Sequence, residues 1–304
     1  MSNRIAIVWD FDRTLIPEYM QEPIFKKFKV DGEKFWKEVN AFPEKIRKEQ
    51  NVRANPDTAY LNIFIKYTKE KKFEGLNNAM LRELGKELTF YPGLPQLFEK
   101  SKKMIEEDHI IYSEYDIKVE HYIVSTGFTE MIRGSIISPY VEGIWGCELI
   151  EALDENGQPI ISEIGYTIDN TTKTRALFEI NKGVGKVDNV NVNTKLPEEM
   201  RRVQFKNMIY IADGPSDVPA FSTLNKSGGA TFAIYPHNDV KAFHQVEQLR
   251  KDGRINMYAE ADYSEGTTAY IWITEKIKEI AEGIRSEEKA KLQATISATP
   301  KHLT

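Results

Sequence analysis

The chain has 304 residues, 41% of them hydrophobic, and a formal charge of −5, which suits one large or two modest domains with a proper core and argues against a large polyanionic partner. Its single cysteine, Cys147, excludes an internal disulfide, and no apolar stretch approaches the roughly 20 residues a membrane helix needs. The first residues run into a strand-like pattern instead of a cleavable leader, so the expected location is cytoplasmic, with no membrane and no nucleic acid as partner.

In chain order, Arg4 to Trp9 is a short, nearly continuous apolar run, the pattern of a central strand buried on both faces. Residues 17 to 91 change character. Lysine, glutamate and aromatics mix at helical spacing, as in Ile24 and Phe28 and then Leu61, Phe64 and Ile65, which predicts a helical subdomain. Within it, Asn55-Pro56-Asp57 reads as a helix start, and a further helix is expected over Asn77 to Leu88. Leu94, Leu97, Phe98 and Ile105 mark another helix, followed by a strand from Ile117 to Val124 that ends at Ser125-Thr126-Gly127. Gly146 to Ile168 holds two β-rich runs around Asp154-Glu155-Asn156-Gly157, a hairpin signal. Lys173 to Ile180 reads as helix, and Met208 to Ala212 and Ala230 to Tyr235 as buried strands. Near the end, Tyr270, Ile273, Ile277, Ile280 and Ile284 form one apolar helix face, for core packing ahead of a subunit contact. Lys182 to Lys206 is expected to be a surface excursion and 288–304 a loose tail. Alternating strands and helices favour an α/β fold with a mostly parallel sheet.

The residues that carry chemistry sit at strand ends. Asp10-Phe11-Asp12-Arg13-Thr14 follows the first strand directly, where an α/β sheet places its ligands. Two aspartates at i and i+2 suit a division of labour, one carboxylate attacking while the other passes protons. A plain polar turn whose aspartates cap a helix is the competing reading. Ser125 alone also reads as a helix cap and Lys173 as a solvated lysine, with Lys182 and Lys186 as neighbouring candidates. Asp213 and Asp217 read as turn and capping residues when taken singly. The five histidines show no ligand-like spacing.

Taken in order, these segments resemble the four motifs of the haloacid dehalogenase superfamily. Asp10 to Leu15 is similar to the first motif, Ser125 after Tyr122-Ile123-Val124 to the second, Lys173 at a helix start to the third, and Asp213-Gly214-Pro215-Ser216-Asp217 to the acidic fourth. The helical insert between the first and second motifs resembles the cap of the phosphoserine-phosphatase-like branch, as do Ser125 to Phe128. This resemblance implies a Rossmann-like, mostly parallel sheet core over 1–16 and 92–287, with an inserted α-helical cap over 17–91. It implies an Mg²⁺-dependent phosphatase acting on a small phosphorylated metabolite. Asp10 would be the nucleophile that forms an aspartyl-phosphate, and Asp12 the general acid and base. Asp10, Asp213 and the Asp12 carbonyl would hold the cation, Ser125, Thr126 and Lys173 the phosphate, and Asp217 would orient Lys173 or water. Asp12 also separates phosphoryl transfer from carbon–halogen cleavage, which needs no second aspartate. Glu18 is a candidate for a substrate amine, and Arg47 or Arg53 for a carboxylate. A phosphotransferase using the same site and a non-catalytic phosphate-binding module are the alternatives, and the sequence assigns neither the ester nor the oligomeric state.

Overall fold

The structure, a computed structural model, describes residues 3–106 and 112–297. In chain order its elements are β1 (Arg4–Trp9), α1 (Glu22–Phe28), α2 (Gly32–Gln50), α3 (Ala59–Lys69), α4 (Asn78–Gly85), α5 (Gln96–Glu106) and β2 (Lys118–Phe128). There follow α6 (Thr129–Gly134), β3 (Val141–Leu153), β4 (Pro159–Tyr166), α7 (Thr172–Lys182), β5 (Met208–Ala212), α8 (Val218–Lys226), β6 (Ala230–Tyr235), α9 (Val240–Lys251), β7 (Met257–Glu260) and α10 (Thr268–Ser297). The seven strands form one sheet in the order β4-β3-β2-β1-β5-β6-β7, parallel throughout except for the β3–β4 hairpin. β1 therefore lies centrally, between β2 and β5, and so brings the ends of three strands together.

Alternation along β1 divides the core between the two faces of the sheet. Ile5, Ile7 and Trp9 join a cluster with Leu97 and Phe98 of α5 and Ile273 and Ile277 of α10. Ala6 and Val8 join another with Leu177 of α7, Phe221 of α8 and Val246 of α9. Helices thus cover both faces, and the result is a three-layer α/β/α arrangement. The isoleucine stripe of α10 is spent in this core, since Ile273, Ile277, Ile280 and Ile284 are all buried.

All of α1 to α4 falls within 17–91, and aromatic packing builds their interior. Phe35 lies 4.9 Å from Phe25, Phe64 lies 4.8 Å from Phe73, and Phe64 reaches the β2 end at Phe128, 4.7 Å away. Asn55 Oδ1 accepts from the Asp57 amide at 3.0 Å, so the helix-start signal there does form a turn leading into α3. At the other end of the chain, α10 continues to Ser297, well into the stretch expected to be a loose tail. Good helix formers such as Glu287, Glu288, Lys289, Ala290 and Lys291 extend a helix already anchored by its buried stripe. Residues 298–304 of that expected tail lie outside the described residues. The excursion after α7 is short turns and irregular chain, pinned where Arg202 donates to both oxygens of the buried Glu120. Among the described residues no helix is long and apolar enough to cross a membrane.

Candidate active site

Asp10 is the first residue past β1, and its amide donates to the Ile211 carbonyl of β5 at 2.9 Å. The sheet hydrogen bonding therefore carries through to the acid itself and fixes its place. The chain then turns sharply. Arg13 adopts a left-handed backbone (φ 59°), and the amides of Thr14, Leu15 and Ile16 all reach back to the Phe11 carbonyl. This turn also places Asp12, whose Oδ1 accepts from the Met20 amide at 3.0 Å.

Lys173 enters from the first turn of α7 and is 1% exposed. Its Nζ lies 2.7 Å from Asp10 Oδ1 and 2.7 Å from Asp217 Oδ1. Burial works against its charge, but the two carboxylates outweigh that and raise its pKa. Asp217 is fully engaged: Tyr210 donates to Oδ1 at 2.5 Å and Ser216 Oγ to Oδ2 at 2.8 Å. Lysine choice is settled by the fold. Lys182 donates instead to the carbonyls of Val192 and Thr194, and Lys186 to Glu142.

Burial first, then the charges of neighbouring acids, moves the remaining carboxyls upward. Asp10 rises from 3.8 to about 6, held down in part by Lys173, and Asp213 rises to about 7 under the charges of Asp10 and Asp217. Asp12 is pushed well above its ordinary range by burial and by Asp10. Oxygens of Asp10, Asp213 and Asp217 all lie within 4.8 Å of one another. Such a cluster of hard oxygen donors could hold a divalent cation.

Ser125 is 1% exposed, and its Oγ accepts from the Gly127 amide at 2.9 Å, which leaves its hydroxyl proton available. Thr126 lines the cleft, and its carbonyl accepts from Tyr60 of α3 at 2.6 Å. Met20 packs closely on Gly127: a Cβ there would lie 2.2 Å from the Met20 methyl, so that side chain would have to shift.

The cleft has a volume of about 500 Å³, and Asp10, Asp12, Arg13, Thr126, Lys173, Asp213 and Ser216 form its floor. Five residues named from the sequence do not line it. Ser125 and Asp217 are buried, Glu18 faces a separate groove with Glu22 and Lys26, and Arg47, in the last turn of α2, and Arg53, after that helix, are exposed. Cap residues that sequence reasoning missed stand in their place: Tyr19, Gln21, Trp36, Asn40, Asp57 and Tyr60. Helical spacing assigned such aromatics to a core, and only the docking of the cap shows which of them turn inward to the cleft. Asp239 is a second omission. It pairs with Arg13 at 3.4 Å, and Arg13 Nε also lies 3.7 Å from Asp213.

No protein-family model matches the chain. A protein of Borreliella burgdorferi described as uncharacterized is 39% identical over 290 residues, which covers 90% of this chain and 97% of that one. The chain belongs to the same family as that protein. Among solved structures, the family fold is similar to a probable phosphoserine phosphatase from Vibrio cholerae, with a TM-score of 0.51 and 15% identity over 93% of this chain and 67% of that one. A hydrolase of the haloacid dehalogenase (HAD) family from Salmonella enterica serovar Typhi has a TM-score of 0.49 and 14% identity, covering 85% of this chain and 67% of that one. The fold that this chain shares with the Vibrio cholerae structure is a mostly parallel α/β sheet with a helical insertion between β1 and β2.

Proposed function

We propose that the chain is a phosphatase that hydrolyses a small phosphate monoester through an aspartyl-phosphate on Asp10, with Mg²⁺ as cofactor. The observation that carries this reading is the buried Lys173 ammonium, held 2.7 Å from both Asp10 and Asp217 at the ends of adjoining strands. A cation locked beside a carboxylate on the floor of the cleft supports attack on an anionic centre.

Asp10 attacks the phosphorus in line, forming the Asp10 O–P bond as the ester P–O bond breaks. Asp12, whose carboxyl is pushed well above its ordinary range by burial and by Asp10, gives its proton to the leaving oxygen. It then takes a proton from water, which attacks the phosphorus, breaks the Asp10 O–P bond and releases phosphate. Lys173 offsets charge on the phosphoryl oxygens, Ser125 donates to one of them from its free hydroxyl proton, and Asp217 positions Lys173. Asp10 and Asp213, with the Asp12 carbonyl, would hold Mg²⁺, which supplies charge neutralisation at the phosphoryl group. The cytoplasm is the proposed location; the buried free Cys147 suits a reducing compartment.

Phosphate release from a panel of small monoesters, measured with Mg²⁺ and with a chelator, tests the reading. Metal-dependent release is expected. No release from any ester by folded protein shown to bind Mg²⁺ would shift the assignment to a phosphotransferase or a binding module.

A further inference from the structure

The cap side of the cleft carries a polar group that the fold leaves unused. Gln21 lines the cleft, is 2% exposed, and its Oε1 has no hydrogen-bond partner. A buried carboxamide oxygen left unpaired is less favourable than an apolar side chain of the same shape, so this site becomes complete only when a ligand supplies the missing partner. Its neighbour sets its position. The Met20 amide donates to Asp12 Oδ1 at 3.0 Å, so Gln21 directly follows the residue that holds the carboxyl assigned to the leaving oxygen, and both side chains line the same cleft.

The surrounding wall has a definite chemistry. Tyr19 and Trp36 have ring centres 5.1 Å apart, and Trp36 and Tyr60 6.2 Å apart. Trp36 Nε1 is also buried without a partner. Asn40 adds a second amide, and Asp57, whose Oδ2 accepts from the Asn170 amide at 3.4 Å, adds a carboxylate. Among the described residues lining the cleft, the cations are Arg13 and Lys173, and aspartates hold both of them. A carboxylate on the ester would therefore meet Asp57 and no spare positive charge. Hydroxyl groups both donate and accept, so they satisfy Gln21 and Trp36 whichever way the carboxamide is turned, while a C–H face packs on the rings.

We propose that Gln21 is a specificity-determining residue, and that the alcohol part of the substrate is an uncharged, polyhydroxylated skeleton, as in a sugar phosphate. This deepens the phosphatase reading and rests on it.

The test uses the full chain with Mg²⁺ and compares kcat and KM for ribose 5-phosphate, phosphoserine and p-nitrophenyl phosphate. The expected kcat/KM for ribose 5-phosphate exceeds that for phosphoserine by about tenfold or more. Gln21→Leu should lower the ratio of ribose 5-phosphate to p-nitrophenyl phosphate kcat/KM by about tenfold, chiefly through KM. Its melting temperature should hold or rise, since an apolar group of similar shape replaces an unpaired one. A preference for phosphoserine, an unaltered ratio, or equal loss on both esters overturns the assignment while p-nitrophenyl phosphate release leaves the phosphatase reading standing. Release from no ester overturns both.

Discussion

Asp10 and Lys173 are each other's condition for being buried, and single substitutions should show it. Asp10→Asn keeps size and hydrogen bonding to Lys173 while removing the attacking charge, so turnover should vanish with the far-ultraviolet circular dichroism unchanged. Normal turnover would refute the nucleophile. Lys173→Ala leaves Asp10 and Asp217 facing each other without a cation, a change that costs about 3–5 kcal/mol in buried pairs, read as a lower denaturation midpoint together with lost activity. Lys182→Ala should leave turnover alone, because that amine serves the Val192 and Thr194 carbonyls. The raised carboxyls also predict a pH signature. Asp10 and Asp213 hold protons up to about 6 and about 7 in the fold, against 3.8 ordinarily. The metal-free fold gains from this below 3.8 and loses the gain as pH rises through 6 and 7. Mg²⁺ binds the deprotonated cluster, so the rise in melting temperature on adding Mg²⁺ should be larger at about pH 8 than at about pH 5. An increment that is flat or falls with pH would argue against these carboxylates as the cation site.

At the scale of elements, the joint between cap and core is set by two glycines. A Cβ on Gly85 of α4 would lie 2.1 Å from the Met131 carbonyl oxygen, and one on Gly134 of α6 would lie 1.8 Å from that of Arg82. The two helices thus touch backbone to backbone, and neither can yield as a flexible side chain would. Gly134→Ala should destabilise by about 1–3 kcal/mol as the helices are forced apart, seen in a urea titration, and should also raise KM by tilting the cap wall over the cleft. An unchanged midpoint would show that the contact is looser than drawn. Arg82 to Glu130 and Tyr60 to Thr126 brace the same joint. None of this was legible beforehand. The sequence pattern singles out neither Gly85 nor Gly134, since the reason for their small size lies in a partner helix far along the chain.

Across the whole molecule, α10 is anchored unevenly. Its first half buries Ile273, Ile277 and Ile280, whereas positions 289–294 are exposed. The sequence by itself determined the class of the fold, because continuous apolar strands alternating with amphipathic helices have few other solutions. It also pointed to charged residues that line the cleft. Asp10, Asp12, Lys173 and Asp213 each follow a buried strand closely or open a helix, and local pattern suffices to single out such positions. Tertiary structure decided the rest. That Lys173 and not Lys182 enters the site, that Glu18, Arg47 and Arg53 stay outside it, and that Gln21 and Trp36 form its wall all depend on how the cap helices dock. Docking is set by packing between residues distant in the chain, and periodicity along one helix says which face is apolar without saying what that face meets.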